Sequence, residues 1–185
     1  MRFPWNWVLR RVEKRLGKAL TANRILSWSP RLLLGTGLME ALVVHDDPEV
    51  PRRLLKLVRV LVSLSVSCPF CIDLNSQSSA KEGVTEEELR SLAQGSWERQ
   101  ITFSEAEKAV LRYAASLTAT PVRVSQAAVE AVLLHFSARA FVVLATTVSQ
   151  VNLWARLIQG LGVNEAGFAE TARWVDLDRF RTRTP

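Results

Sequence analysis

Residues 62–92 read VSLSVSCPFCIDLNSQSSAKEGVTEEELRSL, and the punctuation in this stretch decides the fold. Cys68-Pro69 is a capping residue followed by a proline, the residue that fits the first helical position because it lacks an N–H. A helix is predicted from there through Glu82, stopped by Gly83. Thr85-Glu86-Glu87-Glu88 then opens a second helix, to about Gln94, with a capping box: a hydroxyl for the third backbone N–H and a carboxylate reaching back.

The same grammar continues on both sides. Upstream, Pro51 opens a helix to about Val66 with Leu54, Leu57, Val58, Leu61, Leu64 and Ser65 on one broad face, and Ser29-Pro30 opens another to about Val44. Downstream, Ser104-Glu105-Ala106-Glu107 is a second capping box for a helix to about Leu117, and Thr120-Pro121 breaks the chain. Ser125 caps a helix to His135, Ser137 a long one to about Gly160, and Asn164 a last short one. No segment shows the strict alternation of a strand. The expectation is an all-α single domain of eight or nine helices with an N-terminal amphipathic helix.

Size and composition agree. A chain of 185 residues with 48% hydrophobic and 23% charged residues can bury a core without cross-links. The longest uncharged run, Ala140 to Ala155, is shorter than the roughly 20 residues of a membrane span and contains Thr146, Thr147, Ser149, Gln150 and Asn152. It reads as a buried helix. The start of the chain has no apolar signal core, and cysteine usage is low, so the expected location is the cytoplasm, with reduced thiols.

The net charge of +6 is concentrated in residues 1–31, where eight Arg and Lys stand against Glu13 alone. Trp5, Val8, Leu9, Val12, Leu16 and Leu20 recur at helical spacing opposite Arg10, Arg11, Lys14 and Lys18. Such a helix suits an anionic membrane surface, which would make the protein peripheral to the membrane. Packing of the apolar stripe on the protein's own domain or a neighbouring subunit is the favoured reading. Nucleic acid is a weaker partner, since no nucleic-acid-binding fold accompanies the charge. The division expected is residues 1–29 as the arm, 30–163 as the domain and 164–185 as a tail.

Cys68 and Cys71 are the only cysteines. At a helix start, unpaired N–H groups and the positive end of the helix dipole favour thiolate. Sulfurs one turn apart can also close into a disulfide, so the pair is a candidate dithiol redox site. A closed metal site needs four ligands, and His45 and His135 are the only histidines, so neither metal nor cofactor is expected.

Cys68-Pro69-Phe70-Cys71-Ile72-Asp73 is followed by Ala80, Gly83 and Glu86-Glu87-Glu88-Leu89. Farther on stand Phe103-Ser104, Leu111-Arg112-Tyr113-Ala114, Thr120-Pro121-Val122, His135-Phe136-Ser137, and Asn152 with Arg156 before Leu161-Gly162. Together these resemble the carboxymuconolactone decarboxylase family, in the branch of the alkylhydroperoxidase AhpD. The resemblance spans about Pro30 to Val163. It implies an all-helical homo-oligomer that reduces a hydroperoxide or disulfide substrate and is recycled by a thiol or dihydrolipoyl-type reductant.

By the same resemblance Cys71 is the attacking cysteine and Cys68 the resolving one. The family's Glu–His proton relay falls on Lys56 and Asn75, neither of which is an ordinary base at neutral pH. Asn75, one turn after Cys71, is a candidate to steer a peroxide or stabilise a thiolate; bonding to a neighbouring helix is the competing reading. The alternative function is a non-enzymatic oligomeric scaffold or redox sensor of the same fold.

Overall fold

The computed structural model describes residues 10–11, 13–14, 21–41, 46–165, 167–168 and 175–177. Among the described residues there is no strand, and the all-α expectation holds. The helices are α1 (Thr21–Leu26), α2 (Pro30–Ala41), α3 (Arg52–Ser65), α4 (Pro69–Ser76), α5 (Glu86–Gln94), α6 (Glu105–Thr118), α7 (Gln126–Leu133) and α8 (Ala138–Gly160). Two 3-10 turns, Ser79–Glu82 and Trp97–Arg99, follow α4 and α5. The apolar stripe from Trp5 to Leu20 lies outside the described residues, as does His45.

α3 is the axis of the molecule and packs against α4, α5, α6 and α8. It is buried on all sides: Leu55, Val60 and Val62 are as inaccessible as Leu54, Leu57, Val58 and Leu61. Every residue from Leu57 to Leu64 is buried, so the single broad face expected was too narrow, although Arg52, Lys56, Arg59 and Ser63 keep one side polar. α8 is 23 residues long, and an 18-residue window in it has a mean hydropathy of 1.4, which meets the length and composition of a membrane span. Here it buries Ala140, Leu144, Val148, Val151, Ala155 and Ile158 and packs against α3 and α6.

The caps follow the sequence. The hydroxyls of Thr85 and Ser104 accept the N–H of Glu88 and Glu107, and those carboxylates return to the N–H of Thr85 and Ser104. Ser125 and Ser137 cap α7 and α8. α5 stops at Gly95, whose φ of 71° is the left-handed conformation glycine adopts without steric cost.

Glu88 is also a structural anchor. Its buried carboxylate accepts two hydrogen bonds from Arg53 of α3 (2.6 and 3.0 Å) and one from Thr102 (2.6 Å). Arg53 also bonds Glu107, at the start of α6. One guanidinium thereby ties together α3, α5 and α6.

One helix boundary needs correction. The helix opened by Pro69 ends at Ser76, not Glu82: Gln77 leaves helical geometry, Ser78 turns left-handed at φ 58°, and a separate 3-10 turn follows. Lys56 Nζ donates to the carbonyl of Gln77 (2.9 Å), placing a cation at this early C-terminus. The last short helix expected after Asn164 falls largely outside the described residues.

Candidate dithiol site

The end of α3 and the start of α4 share their hydrogen bonds. Ser67, left-handed at φ 52°, donates to Leu64 O (3.0 Å), and the N–H of Cys68 donates to Ser63 O (3.1 Å). This is the paired closure of a Schellman turn. Cys68 then serves the next helix as its N-cap, and its Sγ accepts the N–H of Cys71 at 3.3 Å. One residue thus closes α3 and opens α4, which fixes the first sulfur between two helix ends.

The second sulfur sits one turn on. Cys68 Sγ and Cys71 Sγ are 2.7 Å apart, and both thiols are free. A covalent S–S bond is about 2.05 Å, so disulfide closure needs an approach of less than an ångström. Both sulfurs are sealed from water: Cys68 is 0% and Cys71 4% exposed. They share a small apolar cluster with Ala22 of α1 and with Ala155, Ile158 and Val163, and Ile25, Phe70 and Trp154 pack against it. Thr21–Leu26, within the segment read as an arm, therefore lies over the cysteines.

The charge on this pair is asymmetric. The hydrogen bond between the two sulfurs lowers the Cys68 pKa. Burial opposes the shift, and the N–H groups of Cys71 and Phe70 reinforce it. The same hydrogen bond raises the Cys71 thiol far above the ordinary value, with burial acting in the same direction. Of the two thiols, Cys68 is the one that carries negative charge more easily.

Neither relay position faces the sulfurs with a base. Asn75 Nδ2 donates to Ser63 Oγ of α3 (2.9 Å), the competing reading given for it. Ser63 is fully buried, and its carbonyl is the group that holds the Cys68 N–H. Asn75 is thus tied to the residue that orients Cys68. Lys56 is half-buried; burial lowers its pKa, and the neighbouring Arg59 adds to the effect. His135 is exposed, and Ser137 makes the cap at that junction.

Side chains far apart in sequence complete the enclosure. Asp73, 1% exposed, accepts the backbone N–H of Phe168 at 2.8 Å, and the Phe168 ring meets Phe70 edge-on at 5.7 Å. The indole N–H of Trp154 is buried without a hydrogen-bond partner among the described residues. The sequence reading missed Ser63, Trp154 and Phe168. Only Ser63 carried a signal: a small polar residue inside the apolar run from Val60 to Leu64. Among the described residues no cluster of His, Cys, Asp and Glu could hold a metal ion.

Comparison with known proteins gives this geometry its context. Residues 34–116 match the carboxymuconolactone decarboxylase family. The uncharacterized protein YdfG of Bacillus subtilis (strain 168) is 29% identical over 114 residues, covering 61% of this chain and 76% of YdfG. Among solved structures, the apo debrominase Bmp8 superposes with a TM-score of 0.75 at 17% identity, covering 98% of this chain and 95% of Bmp8. The AhpD-core, peroxidase-related protein of Ralstonia eutropha JMP134 gives 0.67 at 14% identity, covering 91% and 85%. Likeness at such identities is likeness of fold. With the helical order around α3 and the match over residues 34–116, the chain is similar to the carboxymuconolactone decarboxylase family and has the AhpD-like helical fold of these structures.

Proposed function

We propose that this protein is a peroxidase-related thiol oxidoreductase in which Cys68 and Cys71 cycle between dithiol and disulfide. The observation carrying the reading is the sulfur pair: two free thiols 2.7 Å apart, with the N-cap sulfur held by backbone N–H. The family resemblance assigns attack to Cys71. With Asn75 where a histidine would take the Cys71 proton, the geometry favours the reverse order in this chain.

In that order the Cys68 thiolate attacks the outer oxygen of a hydroperoxide ROOH. An S–O bond forms, the O–O bond breaks, and RO⁻ leaves. The proton it needs comes from the Cys71 thiol, 2.7 Å away. The Cys71 thiolate so formed attacks the Cys68 sulfenic acid, forming the disulfide and expelling hydroxide, which takes a proton from solvent. The sum is ROOH plus two thiols giving ROH, water and one disulfide, a two-electron exchange. Two equivalents of an external thiol, or one dithiol of the dihydrolipoyl type, restore the pair.

The apolar surroundings favour an organic hydroperoxide over hydrogen peroxide, since Phe70, Trp154 and Ile158 offer surface for an R group. Bmp8, with the same fold, has been solved as a cysteine-to-alanine variant in complex with the small aromatic 2,3,4-tribromopyrrole. A second reading, a redox sensor, is favoured by the burial of both sulfurs, which would restrict oxidation to moments of local opening. Leu32, Leu34 and Leu38 of α2 are exposed and apolar, which supports self-association in either case. The test is cumene hydroperoxide added to reduced protein, read by mass spectrometry in the wild type and the two single-cysteine variants. A peroxide-dependent disulfide is expected in the wild type.

A further inference from the structure

Beside the dithiol, on the outer side of Val66, lies a cleft of about 360 Å³. Its walls come from the end of α3, the end of α6 and the last turns of α8. They present Arg156, Thr118, Thr120, Ser65, Gln159 and Val66, and no acidic residue lines it among the described residues. Val66 also packs against the cysteine cluster, two residues before Cys68, so the cleft and the thiols share a wall.

Arg156 is the distinctive group. Its Nη1 donates to Asn152 Oδ1 (2.5 Å) and its Nη2 to Thr120 Oγ1 (3.3 Å). Arg112 and Arg139 of the same molecule hold carboxylates, but Arg156 has no carboxylate partner among the described residues. A guanidinium has five N–H donors, so these contacts orient it and still leave donors to spare. The hydroxyls beside it are primed in the same sense. Thr118 Oγ1 accepts from Asn152 Nδ2 (2.9 Å) and Thr120 Oγ1 accepts from Arg156, which leaves both hydroxyl protons to be donated. The Gln159 amide, anchored on the carbonyls of Val66 and Ala155, closes the side nearest the cysteine turn.

We propose that this cleft is a binding site for the carboxylate of a small organic acid. One cation with neutral hydroxyl donors matches a single negative charge, and the planar fork of arginine matches a planar carboxylate. A phosphate dianion would call for more positive charge than the walls supply. The role rests on the redox reading: a carboxylate held at Arg156 places the rest of the molecule along Val66 toward Cys68 and Cys71, so an acid-bearing hydroperoxide is the substrate class that fits. The binding itself needs no redox chemistry.

The experiment uses the full chain as its Cys71→Ser variant, so that loss of dithiol activity and loss of binding are read separately. Benzoate, benzamide and inorganic phosphate are titrated by calorimetry and ligand-observed NMR. Benzoate is expected to bind at least tenfold more tightly than benzamide or phosphate, and Arg156→Gln to lose that preference. If R156Q proves less stable, Arg156→Lys keeps the charge without the fork and should weaken benzoate binding several-fold. Equal affinity for benzoate and benzamide, tighter binding of phosphate, or full benzoate affinity in both Arg156 variants would overturn the proposal.

Discussion

Replacing Glu88 by Gln probes the anchor that sets α5 and α6 around the axial helix. Glu88 is 1% exposed, and burial alone would raise its pKa. Hydrogen bonds from Arg53, Thr102 and the N–H of Thr85, with the Arg53 charge, outweigh that and hold it at about 2 instead of 4.5. At about 1.4 kcal/mol per pH unit, this difference corresponds to ~3 kcal/mol of stability at neutral pH. The folded pKa lies below the unfolded one, so the contribution is complete above about pH 4.5 and disappears as pH falls through about 2. At pH 3 the unfolded chain has bound its proton while the folded one has not, and a little under half remains. For a chain of this size the melting temperature of E88Q should fall by about 6–12 °C at pH 7. The gap to the wild type should narrow to roughly half of that at pH 3. Calorimetric melts of both proteins at the two pH values are the assay. A gap that is the same at both, or below about 1 °C at pH 7, would refute the ion-pair reasoning.

Two further outcomes follow from the dithiol's supports. Ser63→Ala removes the acceptor of the Asn75 amide and should cost about 1–2 kcal/mol in urea denaturation; an unchanged midpoint would mean that the Asn75–Ser63 bond contributes nothing net. Phe168→Ala removes the edge-on contact with Phe70, worth about 1 kcal/mol, and should speed alkylation of the reduced cysteines by iodoacetamide about fivefold if access depends on local opening. An unchanged rate would show that Phe168 does not control that opening.

What the sequence revealed was what it encodes locally. The pairs Cys68-Pro69, Thr85 with Glu88, and Ser104 with Glu107 act over one helical turn, and each stands where it was read. The break after Ser76 was hidden because the left-handed residue there is Ser78 and not glycine, while Gly83 sits five residues later at a boundary of its own. The breadth of burial on α3 was visible in Leu55, Val60 and Val62, which one-face counting set aside. Contacts between distant segments left no local trace. Asn75 reaches Ser63 on another helix, and Asp73 meets Phe168 across 95 residues of chain. C-x-x-C spacing brings the thiols together; the polarity proposed for them rests on the cap at Cys68 and on the lack of a base beside Cys71 among the described residues.

That polarity is the central claim, and single-cysteine variants test it most directly. Cys71→Ser and Cys68→Ser, each fully reduced, are treated with cumene hydroperoxide in the presence of dimedone, and adducts are located by mass spectrometry. The predicted result is peroxide-dependent sulfenic acid on Cys68 in C71S, little on Cys71 in C68S, and an internal Cys68–Cys71 disulfide in the wild type. Sulfenic acid on Cys71 alone would contradict the order of attack. No peroxide-dependent product in any of the three proteins would contradict the redox function itself.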